Sequence, residues 1–175
     1  VTTVDAQHGL HQLDETFESA RQIAMADRVV LTKSDLVGTE MIERLAAKVR
    51  LLNPAVPIRQ AVKGAIEPTN LLDINAYEIR GEADVGRWLA ADRYATHDEA
   101  CSVKGCDHPH HHHNHGHLHG IRSFCLTFEE PLDASRLEAL IEILRATQGG
   151  KLLRIKGVLN VREHDQPFVI HGVQH

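Results

Sequence analysis

Aromatic residues make up only 4% of the chain, and cysteines number three: Cys101, Cys106 and Cys125. So few thiols exclude a disulfide-stapled secreted scaffold and point to a reducing, cytoplasmic setting. No apolar run approaches the ~20 residues that a membrane helix needs, and no signal peptide is visible, so no membrane partner is expected. Excess positive charge is missing too. The formal net charge is −5, which gives no footing for nucleic acid. An initiator methionine is also lacking: the chain begins at Val1 inside a strand-like run and reads as a piece of a longer protein. What is present is a globular share of apolar residues, 42% of 175, enough for one ordinary domain or two small ones. Histidine is the surplus, with 14 residues, most of them packed into one segment.

The patterning alternates. Val1 to Ala6 reads as a strand ending in a polar turn, and a helix is expected from about His11 to Met25, with Leu13, Phe17, Ala20 and Ala24 on one face. Arg28 to Leu31 is a short β-branched and apolar run, read as a buried strand. Thr39 is placed to cap a second helix with Ile42, Leu45, Val49 and Leu52 as its stripe and Asn53-Pro54 as its stop. Val56 to Val62 suggests another strand, Lys63-Gly64 a turn, and Glu67 to Asp73 a short helix. Strand–helix–strand–helix–strand order indicates α/β architecture with a parallel sheet. From Ile74 the pattern fades, apart from a helix expected within Glu82 to Asp92 that carries Val85, Trp88 and Leu89. Beyond the histidines, Arg122 to Glu129 alternates Phe124, Leu126 and Phe128 as a half-buried strand does. A helix from Ala134 to Thr147 follows, with Leu137, Leu140, Ile141 and Leu144 on one face and capping-box spacing at Ser135 and Glu138. Strands over Lys151 to Val161 and Pro167 to Val173 complete a β-α-β-β layout of the α+β class.

Chemistry concentrates in two places. Thr32-Lys33-Ser34-Asp35 follows the central strand, at the carboxyl end where open α/β sheets place ligands. The residues fit Asn/Thr-Lys-x-Asp, by which GTP-binding proteins read guanine. A carboxylate at the fourth position accepts hydrogen bonds from the ring N–H and the exocyclic amine of guanine, and adenine presents the opposite pattern. The stem of Lys33 can lie along the face of the base while its ammonium reaches water. Thr32 stands where many such proteins carry Asn. The plainer reading is a helix-start turn with Asp35 as a cap. Asp5 is open between a supporting role at the nucleotide site and a strand-end turn former. The turn at Val62 to Gly64 is a further source of backbone groups for the base.

The second place is the run from Cys101 to His119. Imidazole binds Zn²⁺, Ni²⁺, Co²⁺ and Cu²⁺ at neutral pH. His108, His110, His111, His112, His113, His115, His117 and His119, flanked by Cys101 and Cys106, offer overlapping ligand sets. With almost nothing apolar to bury, the segment reads as a linker with several modest, exchangeable sites. An inert low-complexity linker and a plain solvent-exposed cysteine pair are the duller alternatives. A purification tag is another, but such tags are terminal and uninterrupted, and this run is internal and broken by Asn114, Gly116 and Leu118. The scattered histidines His8, His11, His97, His164, His171 and His175 read as ordinary surface residues, and Cys125 as core.

Taken together, Val4-Asp5-Ala6, Gln22-Ile23, Ala26-Asp27, Thr32-Lys33-Ser34-Asp35, Asn53-Pro54, Leu153-Arg154-Ile155-Lys156-Gly157 and Gly172-Val173-Gln174-His175 give the chain its resemblance to the CobW-type (CobW/HypB/UreG class) family of GTP-binding metallochaperones. The resemblance implies the C-terminal half of a P-loop GTPase domain over residues 1–92, a histidine-rich metal-binding linker over 93–121, and a truncated C-terminal α+β domain over 122–175. It implies GTP with Mg²⁺, a transition metal (Zn²⁺, or Co²⁺ or Ni²⁺) and a client metalloprotein. Family members are associated with zinc, cobalt or iron pathways, cobalamin biosynthesis among them. The family's phosphate loop, G-x-x-x-x-G-K-[ST], and its short cysteine-rich metal motif are absent from these 175 residues and are expected upstream. The intact protein is therefore expected to hydrolyse GTP and this stretch alone is not. The alternatives are a non-enzymatic metal-storage protein and, for the C-terminal part, a docking module.

Overall fold

Val29, Val30 and Leu31 are 0%, 4% and 0% exposed, as a strand covered on both faces requires. They lie in β2 (Val29–Thr32), the middle of a three-stranded sheet between β1 (Thr2–Asp5) and β3 (Ile58–Ala61). Both pairings are parallel and in step, so Thr2 and Ile58 flank Val29 while Asp5 and Ala61 flank Thr32. The carboxyl ends of all three strands thus share one edge. The computed structural model describes residues 1–72, 85, 86, 89, 118–128, 130–162 and 164–174. Most of the helix expected over Glu82 to Asp92 lies outside the described residues. Those described fall into two units, divided after Cys125, with residues 85, 86 and 89 grouped in the second; the α/β unit is the larger. Among the described residues no helix is long and apolar enough to cross a membrane.

The helix expected over His11 to Met25 is instead two: α1 (Gly9–Glu15) and α2 (Phe17–Met25). Thr16 is extended between them, at φ −119° and ψ 110°. The carboxylates of Asp14 and Glu15 sit at the negative end of α1, where the helix dipole disfavours them, and β-branched Thr16 has a modest helix propensity. The break turns the second half of the stripe. Ala20 and Ile23 go inward, and Phe17 is left half exposed.

Further along, α3 (Thr39–Leu52) buries Leu45, Val49 and Leu52 with Ile42 packed partly against the core, as its spacing predicts. Its N-cap is Gly38 rather than Thr39, which opens the first turn. Gly9 has a packing reason to be glycine: a Cβ there would stand 2.6 Å from Val4 Cγ1 and 3.2 Å from the Leu45 methyls. The short helix α4 spans Thr69–Leu72.

In the second unit α5 (Ala134–Gln148) precedes an antiparallel pair, β4 (Arg154–Leu159) and β5 (Phe168–Val173), with Arg154 opposite Val173 and Leu159 opposite Phe168. Asp133 is the N-cap of α5, so Ser135 lies inside the helix and no capping box forms with Glu138. Asp133 instead pairs with Arg136 at 3.1 Å and Arg162 at 3.3 Å. The strand expected over Arg122 to Glu129 is not formed among the described residues. Its alternation survives in the opposite sense: Ile121, Ser123 and Cys125 are half-buried, while Phe124 and Leu126 are 67% and 64% exposed. A strand is made by its ladder, and the one bridge in this neighbourhood among the described residues joins Leu132 to Val161 instead. Cys125 is accordingly half-buried rather than core.

Candidate functional site

Thr32 closes β2, and its hydroxyl donates to the Val4 carbonyl at 3.3 Å, which fastens the turn to β1. Lys33 then enters the left-handed region, at φ 56° and ψ 30°. For a non-glycine residue this costs on the order of 1–2 kcal/mol, and such strain gathers where a side chain must be aimed. Ser34–Leu36 complete a single 3₁₀ turn, with Ser34 buried and Asp35 exposed. No hydrogen bond or ion pair from the Asp35 carboxylate is found among the described residues, and the residue stands exposed at the carboxyl edge of the sheet. It caps neither this turn nor the following helix: the N-cap positions are Lys33 and Gly38, and Asp35 lies inside the turn.

Lys33 does not reach freely into water. Its ammonium donates to Asp5 Oδ2 at 2.7 Å, from the register partner of Thr32 on the neighbouring strand. Asp5 Oδ1 accepts the Gln7 N–H at 2.8 Å, and His8 Nδ1 lies 3.5 Å from Oδ2. Asp5 therefore forms the strand-end turn through the Gln7 N–H and pairs with the lysine through its other oxygen. The Lys33 ammonium, with the Gln7 N–H and His8 helping against a partial burial cost, holds its carboxyl down from 3.8 to about 2. A lowered carboxylate stabilises the fold fully above its unfolded value, and this contribution is lost as pH falls through about 2. Lys33 is 54% exposed, so solvent screening keeps the gain small.

The turn after β3 shares the same edge. Lys63 and Gly64 both have positive φ, 51° and 78°, and the Ala65 N–H closes on the Val62 carbonyl at 2.9 Å. Sequence reasoning missed what holds the other end of β2. Asn53, read there as a helix stop and as part of the family resemblance, is buried, and its amide donates to the carbonyls of Ile23 at 3.0 Å, Ala26 at 2.9 Å and, more weakly, Ala24 at 3.4 Å. It ties the end of α3 to the end of α2, just ahead of β2. An Asn at a helix end is the available signal, but its partners lie 27–30 residues away and no local pattern names them.

Of the expected metal ligands, Cys101, Cys106, His108, His110, His111, His112, His113, His115 and His117 lie outside the described residues. His119 is described. Its Nε2–H donates to the Leu13 carbonyl at 2.9 Å, in the last turn of α1, and its ring meets Phe17 edge-on with centroids 6.0 Å apart. That nitrogen is committed to the protein, and Nδ1 is the one left to bind an ion. Among the described residues no group of three His, Cys, Asp or Glu could hold a metal.

Both ends of the chain have counterparts among known protein families. Residues 1–60 match the model of the CobW/HypB/UreG nucleotide-binding domain, and residues 121–175 match that of the cobalamin synthesis protein CobW C-terminal domain. The chain is 25% identical over 174 residues to the zinc chaperone YjiA of Escherichia coli, covering 99% of this chain and 48% of that protein. It is 33% identical over 171 residues to the zinc chaperone CobW of Pseudomonas aeruginosa, covering 97% of this chain and 38% of the relative. The chain thus spans about half or less of the curated relatives it matches. In fold it resembles the Zn(II)-bound YjiA GTPase from E. coli, with a TM-score of 0.58 at 21% identity, covering 98% of this chain and 47% of that one.

Proposed function

Because the chain belongs to the CobW family of nucleotide-binding proteins, we propose that it is part of a GTP-dependent metallochaperone that carries a transition metal, zinc foremost, to client proteins. The observation that carries this reading is the exposed Asp35 carboxylate on a turn aimed by Lys33, at the shared carboxyl edge of a parallel sheet. Guanine offers two N–H donors to that carboxylate, and the anchored stem of Lys33 gives the ring a face to lie on. Thr32 fastens the turn by donating its hydroxyl proton to Val4, and its oxygen keeps acceptor capacity toward the nucleotide. Hydrolysis needs a phosphate loop, and these 175 residues contain none, so turnover belongs to the intact protein and this stretch alone is inactive. The Mg²⁺ that accompanies the phosphates would be held beside the phosphate loop, largely outside this stretch.

Metal cargo is assigned to Cys101, Cys106 and the histidines from His108 to His119, within a linker over residues 93–121 that separates a GTPase part, 1–92, from a C-terminal part, 122–175. Two zinc chaperones among the relatives favour Zn²⁺ over Co²⁺ or Ni²⁺. The rival reading is a non-enzymatic metal buffer. Deleting Cys101 to His119 from the intact protein separates the two. GTP affinity is expected to stay within about twofold, while titration with Zn²⁺ loses the several modest sites of the segment. A buffer would show no GTP binding in either form, and unchanged Zn²⁺ stoichiometry would remove the segment from the account.

A further inference from the structure

The carboxylate of Asp5 is held at two points: the Gln7 N–H fixes Oδ1 at 2.8 Å, and Oδ2 takes the Lys33 ammonium at 2.7 Å. The first bond is local and sets the direction in which the second oxygen faces. Register does the rest. Asp5 lies beside Thr32, so a lysine one residue beyond β2 must run back across the mouth toward β1 to reach it. The left-handed backbone of Lys33 makes this path possible, and the stem stays more than half exposed along it. A free lysine spreads over many rotamers, and a tethered one presents a fixed apolar rail.

We infer that Asp5 is a positioning residue for the nucleotide: by tethering the Lys33 ammonium it sets the lysine stem as one wall of the slot whose edge Asp35 reads. Asp5 itself touches no base. Its effect passes through Lys33, and the inference rests on the guanine reading above. A lysine without the tether has to be ordered by the nucleotide at binding, and affinity falls by the cost of that ordering.

The test is GTP and ATP binding, by titration calorimetry, to the intact protein in wild-type, Asp5→Asn, Lys33→Met and doubly substituted forms. Asparagine keeps the acceptor for the Gln7 N–H, so the turn is retained while the charge pairing is lost. Asp5→Asn is expected to weaken GTP binding about tenfold. In the Lys33→Met background the same change is expected to matter less than about twofold, and Asp5→Glu is expected to recover part of the loss. An equal loss with and without Lys33 would show a merely structural Asp5 and overturn the inference. So would full affinity in Asp5→Asn, provided the wild type prefers GTP. A wild type that binds GTP and ATP alike sinks the guanine reading and this inference with it. Should Asp5→Asn melt far below the wild type, Lys33→Met, which leaves the Asp5 turn intact, carries the same expectation of a roughly tenfold loss.

Discussion

Asparagine in place of Asp35 is expected to weaken GTP binding by the intact protein about a hundredfold or more and to admit the xanthine nucleotide in its place. On the proposed guanine reading the carboxylate accepts from two donors of the base, and each such charge-assisted bond contributes roughly 1.5–3 kcal/mol. An amide keeps one acceptor and turns an N–H toward the exocyclic amine, so one bond is weakened and the other becomes a clash of donors. Xanthine carries a carbonyl where guanine carries that amine, and the amide matches it. Competition among GTP, XTP and ATP for a labelled nucleotide checks both halves. The exposed placement of Asp35 means the substitution should leave the melting temperature nearly unchanged. Unaltered GTP affinity in the Asp35→Asn form would show that the carboxylate does not read the base.

The second large effect is on stability. Alanine at Asn53 is expected to destabilise the α/β unit by about 2–4 kcal/mol, because carbonyls at the end of α2 lose a buried donor. The Ile23 and Ala26 carbonyls accept from Asn53 at 3.0 and 2.9 Å in buried surroundings, where water does not readily replace the amide. For a chain of this size that is a fall of roughly 4–16 °C in melting temperature. The Asn53→Asp form should be no better, since a carboxylate cannot donate and its charge would be buried. Because Ala26 leads through Asp27 and Arg28 into β2, the loss is expected to loosen the Thr32-Lys33-Ser34-Asp35 turn as well. Thermal unfolding followed by circular dichroism measures it, and a change below about 1 kcal/mol would mean that water already satisfies those carbonyls.

The parts of this molecule that declared themselves in sequence are those where local pattern and tertiary fate coincide. A wholly apolar Val29 to Leu31 can only be a strand covered on both faces, and the four-residue pattern behind it lands at the sheet edge as α/β topology demands. The stripe of α3 was legible for the same reason. The break at Thr16 was not, because the spacing from Leu13 to Phe17 is as helical as the rest and only backbone geometry ends it. Arg122 to Phe128 misled differently: a two-residue period states which side chains share a face, and nothing in it says whether a ladder partner exists or which face is inside. The pairing of Asp5 with Lys33 and the grip of Asn53 on α2 both join residues nearly thirty apart, and only the folded sheet brings them together. His119 is subtler. Its residue type promised a metal ligand, and the fold has already engaged one of its two nitrogens with the end of α1.

Titration calorimetry of the intact protein against GTP and against ATP, under identical salt and Mg²⁺, bears on the whole account most directly. A slot edged by Asp35 and walled by the tethered Lys33 predicts GTP bound at least about a hundredfold more tightly than ATP. Equal affinity for the two purines would contradict it.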